Sequence, residues 1–224
     1  MILVHGPDTC AVLDQSAFTL VLKFSPRKAK MSDEDFQTKS EAFLAWFKAQ
    51  PGAQFHPSLN IVDLRHGNAG RGIMATSPIG PDANLFTIPR DIVITRENSS
   101  LFKRHPTIFD RFHEVQGIED ENFDWLALVL TLMYEYFIDD ASPWKPYLDV
   151  LPNHFQTLMF WTDDELEELQ ASAVRQKIGK VEADLLFQSK LVPFLNQRRS
   201  IFFTDAHSKP RDEELVALAH RVSM

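Results

Sequence analysis

The stretch from Phe123 to Ile138 constrains this chain most. Trp125, Leu126, Leu128, Val129, Leu130, Leu132, Met133, Tyr134, Tyr136 and Phe137 leave it apolar almost all round at helical pitch. A helix without a polar face is a buried helix. It falls short of the roughly 18 uninterrupted apolar residues of a membrane span and carries Glu135 inside, so it reads as a core helix. The surrounding pattern is helical too. Leu101 to His113 predicts one or two short helices broken at Pro106. Thr162-Asp163-Asp164-Glu165 is a capping box opening a helix to about Ala173. Ala183 to Arg199 and Arg211 to Arg221 continue the pattern.

Before Ser100 the period is different. Asn60-Ile61-Val62-Asp63-Leu64-Arg65, Ile73-Met74-Ala75-Thr76, Leu85-Phe86-Thr87-Ile88-Pro89 and Ile92-Val93-Ile94-Thr95 are short β-branched or aromatic runs bounded by turn residues. They predict a meander of short strands. Gly70 and Gly72 flank Arg71 where the first hairpin is expected to turn. Glycine there permits φ > 0 and lets another group lie against the backbone. The motif is not a nucleotide fingerprint: no third glycine follows, and a strand stands where a helix is needed. Ahead of it, Phe36, Phe43, Leu44 and Phe47, with small Ser40 on the same face, mark an amphipathic helix from Asp33 to Ala49 that Pro51-Gly52 stops. The fold class is therefore α+β, a small antiparallel meander followed by an all-helical half.

Charge and cysteine content narrow the partners. The net charge of −8 gives no basic footprint for nucleic acid or an anionic membrane, and suits a basic protein partner. The one cysteine, Cys10, allows no intrachain disulfide and fits a reducing compartment, nucleus or cytoplasm. The eight histidines never pair at metal-ligand spacing. Residues 1–30 read as an extension with a small basic cluster at Lys23, Arg27, Lys28 and Lys30, and Met31 as the functional start. Asp163, Asp164 and Glu165 read as capping acids. Asp139-Asp140 reads as a solvated helix end. Trp144, Tyr147 and Trp161 read as core aromatics more than as the lining of a cleft.

The run Asn68-Ala-Gly-Arg-Gly-Ile-Met-Ala-Thr-Ser-Pro-Ile-Gly, then Leu85-Phe-Thr-Ile-Pro-Arg, resembles the opening strands of a SET domain. The resemblance is to protein-lysine methyltransferases similar to the Rubisco large-subunit enzyme, and by pattern to the fungal ribosomal-protein lysine methyltransferases. Ser142-Pro-Trp-Lys-Pro-Tyr-Leu-Asp-Val-Leu-Pro and Phe160-Trp-Thr-Asp-Asp-Glu-Leu-Glu-Glu-Leu-Gln resemble that family's helical insertion. The resemblance implies residues 31–55 as an N-terminal helix, 56–100 as the first half of a SET domain, and 101–224 as the insertion. It implies S-adenosyl-L-methionine as cofactor, held on one side by the backbone of Ala69, Gly70, Arg71 and Gly72. It also implies a ribosomal-protein lysine as target.

The family's later elements have no counterpart here. Asn153-His154 lies inside the insertion and not on the strand where the family's Asn-His pair sits. Tyr134, Tyr136 and Tyr147 precede the place of the family's catalytic tyrosine. The expectation is a chain that stops before the catalytic half, with no catalytic residue of its own and no activity alone. The competing expectation is a non-catalytic protein-interaction module or an inactive SET fragment.

Overall fold

The computed structural model describes residues 32–67, 69–153, 155–203 and 210–223. The N-terminal extension with Cys10, Met31, Asn68 and His154 lie outside the described residues. Helix α1, Asp33–Lys48, carries Asp33, Glu34 and Asp35 in its first turn, where the helix dipole favours acids. It buries Phe36, Ser40 and Phe47, and Gly52 turns the chain out of it with φ +80.

Four short strands follow: β1 Gln54–Phe55, β2 Leu59–Asp63, β3 Arg71–Ala75 and β4 Phe86–Thr87. They make two antiparallel pairs, β1 with β4 and β2 with β3. The predicted last strand, Ile92–Thr95, is absent. Arg90–Ile92 is a single 3-10 turn, and Asn98 accepts from the Thr95 amide and donates to the Val93 carbonyl. An asparagine side chain thus takes the backbone groups that a ladder would have used. In the longer pair, Ile73 and Met74 point to opposite faces of β3 and are 56% and 52% exposed. Among the described residues, β3 from Ile73 onward is therefore open on both faces.

Helices α2 Ser100–Arg104 and α3 Ile108–Gln116 are separated at Pro106, as the sequence predicts. Helix α4, Asp120–Phe137, is the axis of the core. Leu126, Leu130 and Met133 are fully buried against Phe112, Phe187, Phe194, Leu195 and Leu215. Burial is not complete around it, however. Leu128 is 40% exposed and Leu132 only half-buried. None of the helices among the described residues is long and apolar enough to cross a membrane.

After α5, Lys145–Leu148, and its flanking turns, the capping box at Thr162 and Glu165 forms as expected. Helix α6 nevertheless spans only Asp163–Glu167. Leu166 is its sole buried residue, too little apolar area to carry a further turn against five neighbouring carboxylates. The predicted helix from Ala183 to Arg199 is three segments. Helix α7, Lys180–Leu186, widens to a π turn over Phe187–Leu191 and resumes as α8, Val192–Gln197. Pro193 has no N–H for the Ser189 carbonyl and crowds it, which explains the widening. Helices α9, Arg199–Phe202, and α10, Asp212–Val222, close the unit, α10 lying along α4.

Candidate functional site

The glycine motif sits at the end of the β2–β3 hairpin. The turn is made by Leu64 to Gly70, not at Arg71, and β3 has begun by Gly72. Leu64 donates to the Gly70 carbonyl at 2.7 Å and Ala69 donates to the Leu64 carbonyl at 3.1 Å. The Thr76 amide donates to Ser58 at 2.7 Å, so the hydrogen-bonded pairs alternate down the hairpin and Gly72 faces Val62 in one of them. Ile73 and Ala75 therefore turn their amides and carbonyls to the opposite edge, which has no neighbouring strand among the described residues.

The two glycines serve different ends. Gly70 has φ +67, and nothing lies within 4 Å of where a Cβ would stand. This is an open, left-handed position at which a ligand can meet backbone directly. At Gly72 the same Cβ would stand 2.5 Å from Leu64 Cδ1. Gly72 thus lies under the Leu64 side chain, which would have to shift to admit a Cβ, where the sequence suggested room for a ligand. Ala69 is exposed beside Gly70.

Arg71 points away from the turn and into the protein. Its Nε donates to Ser40 Oγ at 2.9 Å, Nη1 to the Val150 carbonyl at 3.1 Å and Nη2 to the Phe36 carbonyl at 3.3 Å. Its guanidinium also lies 4.0 Å from the Phe36 ring centroid, while Arg65 lies 4.2 Å from the same centroid. Burial pushes the Arg71 pKa down, with the positive charge of Arg65 adding to the effect. A guanidinium remains charged regardless. Arg65 in turn grips Asp63 through Nη2 at 2.6 Å and Nε at 2.9 Å, and its hydrogen bond brings the Asp63 carboxyl down from 3.8 to about 2. Two arginines thus pin the hairpin to α1 and to the chain after α5. The sequence reading assigned Arg71 to the site through its backbone and missed this side-chain clamp.

The aromatics divide. Trp144 is core, 3% exposed, with Nε1 donating to the Ile92 carbonyl at 2.9 Å. Tyr147 lines two open apolar grooves on either side of Leu128 and Leu132, of about 470 and 350 Å3. Trp125, Tyr136, Phe155 and Arg221 belong to the larger, Phe43, Trp46 and Val93 to the smaller. Burial raises the Tyr136 pKa, the charge of Arg221 partly opposing it. Asn153 is exposed.

No family model matches the chain. Individual proteins do. The ribosomal lysine N-methyltransferase 4 of Saccharomyces cerevisiae is 35% identical over 153 residues, covering 67% of this chain and 30% of that protein. Over this stretch the chain is kin to the protein-lysine methyltransferases. The N-lysine methyltransferase SETD6 of Bos taurus is 28% identical over 193 residues, 84% of this chain and 40% of its own length. The actin-histidine N-methyltransferase of Drosophila melanogaster is 28% identical over 141 residues, 63% of this chain and 23% of its own. The chain thus spans well under half the length of these relatives. The relatives it matches are named both for lysine and for histidine N-methylation.

Proposed function

We propose that this chain carries the N-terminal part of an S-adenosyl-L-methionine-dependent protein-lysine N-methyltransferase of SET-domain type. The homology to lysine methyltransferases over 67% of the chain carries the reading. Residues 56–100 form the first half of that domain and residues 101–224 its helical insertion. The described turn fits one wall of a cofactor pocket. The open backbone at Ala69 and Gly70 would hold the methionine portion, and the Arg71 clamp keeps the turn in place beforehand, so that little ordering remains on binding. When bound, the cofactor supplies an already activated methyl group. The yeast relative's name supports a ribosomal-protein lysine as acceptor, and the net charge of −8 suits a basic target. Nucleus or cytoplasm is the matching compartment.

This reading assigns no catalytic residue to the described part of the chain and leaves the orienting of the lysine amine and the removal of its proton to the rest of the enzyme. Loss of roughly 7 kcal/mol of positioning slows a reaction about 10⁵-fold. The purified chain is therefore expected to bind S-adenosylmethionine weakly in calorimetry and to transfer no label from methyl-tritiated cofactor to ribosomal proteins. Transfer at enzymatic rates by this chain alone would refute the partial-site reading. A second reading, a non-catalytic interaction module, is favoured by the exposure of Ile73 and Met74 on opposite faces of β3. It predicts a stable partner that forms no methylated product.

A further inference from the structure

Several arginines of this chain are matched by carboxylates. Arg65 holds Asp63, Arg96 reaches Glu97 and Asp124, and Arg211 reaches Glu213 and Glu214. Arg111 and Arg198 differ. Arg198 stands between α8 and α9, half-buried, with its guanidinium 4.1 Å from the Phe194 ring centroid. Phe194 packs on Phe112 of α3 at 4.7 Å between centroids, and the exposed Arg111 immediately precedes Phe112. Burial, and then the positive charge of Arg111, push the Arg198 pKa down. Both guanidiniums nevertheless stay charged, so two like charges are held in each other's field. The hydrogen bond from Arg198 to Gln197 Oε1 is a long 3.4 Å and brings no negative charge. Asp110 and Glu114 flank Arg111 along α3, yet among the described residues no carboxylate lies within ion-pair distance of either arginine.

We propose that Arg111 and Arg198, at the contact of α3 with α8, form a binding site for a single phosphate group. An oxyanion between two like charges turns their repulsion into two attractions, and the low-dielectric ring beneath Arg198 strengthens both. The ring also holds the Arg198 fork in one plane, so little ordering remains on binding. Phosphate matches better than a carboxylate, because its charge of about −1.5 to −2 and its three acceptor oxygens suit two guanidiniums. The net charge of −8 disfavours a long polyanion, which leaves a compact ligand. Free inorganic phosphate and a phosphorylated side chain of another protein share this chemistry. The site stands independently of the methyl-transfer reading.

The test titrates the purified 224-residue chain by calorimetry with inorganic phosphate and with a glycine-serine peptide carrying one phosphoserine. Sodium chloride of equal ionic strength is the blank. Saturable phosphate binding is expected, at least about tenfold weaker in Arg198→Gln and in Arg111→Gln. Arg175→Gln, on the exposed turn before α7, is the control and is expected to bind unchanged. Peptide binding tighter than that of the free ion assigns the site to a phosphorylated protein, and equal or weaker binding assigns it to the free ion. In phosphate-free buffer Arg111→Gln is expected to melt no lower than the unaltered chain, because it removes a like charge from beside Arg198. A lower melt would make Arg111 a structural residue and overturn the account. No heat beyond the chloride blank, or phosphate binding that survives both substitutions, also overturns the site. So does equal binding of the unphosphorylated peptide.

Discussion

Arg71 and Val150, 79 residues apart, are joined by a 3.1 Å hydrogen bond from the guanidinium to the carbonyl. Through it the strand after the glycine turn is fastened to the segment following α5, with Phe36 and Ser40 of α1 completing the grip. Arg71→Lys is expected to lose most of this. A single ammonium cannot reproduce a planar fork that reaches three acceptors while lying over a ring. The expected cost is about 2 kcal/mol in urea unfolding, with faster amide exchange along β3. Stability within about 0.5 kcal/mol of the unaltered chain would show that the clamp is not needed.

The Asp63–Arg65 pair sets an acid limit. Asp63 titrates at about 2 in the folded protein, against 3.8 for an ordinary carboxyl. A depressed carboxyl stabilises the folded state above its unfolded pKa, and the benefit is lost as pH falls from about 4 through 2. Urea midpoints taken between pH 5 and pH 2 should fall more steeply for the unaltered chain than for Asp63→Asn. Equal slopes would remove the pair from the account.

The two glycines separate cleanly by mutation. Gly70→Ala meets no atom but holds a side chain at φ +67, a strain of roughly 1–2 kcal/mol. Gly72→Ala drives a methyl into Leu64, and Leu64→Ala should relieve it in the double mutant. A coupling of about 1 kcal/mol is expected for Gly72 with Leu64, and none for Gly70 with Leu64. Strict additivity of the Gly72 pair in denaturation would count against the packing role.

Glu135 is wholly buried and accepts from the Ser100 amide at 2.8 Å, the Ser100 hydroxyl at 3.2 Å and the Ser142 hydroxyl at 2.6 Å. Ser142 accepts from the Trp144 amide, and Trp144 donates to Ile92, so the carboxylate anchors a relay from α4 to the 3-10 turn. Glu135→Ala leaves three buried donors short of an acceptor and should cost at least about 2 kcal/mol. Glu135→Gln retains one acceptor and should cost less. The order of the two melting temperatures is the check.

What the sequence made legible was local. Phenylalanine spacing marked α1, Pro106 marked the break between α2 and α3, and the Thr162–Glu165 box marked the start of α6. The apolar run at Ile92–Ile94 misled because Asn98, a few residues on, supplied side-chain bonds that no apolar pattern registers. The course of Arg71 was hidden for a different reason. Its acceptors lie 31, 35 and 79 residues away, and a glycine on each side drew attention to backbone alone. The pattern of α4 indicated burial all round, yet Leu128 stands in the open. An apolar face reveals the need for a cover without saying which residues provide it.

The exposure of Met74 on the bare hairpin makes the molecule its own chemical reporter. Thioether oxidation by peroxide follows access, and Met133 in the core at 0% exposure provides the internal reference against Met74 at 52%. Sulfoxide forming at Met74 alone records an uncovered hairpin on a folded chain, whereas sulfoxide at both records unfolding. Slower Met74 oxidation while Met133 stays intact would reveal any molecule that settles over β3, whatever its identity, by mass spectrometry of a single peptide pair.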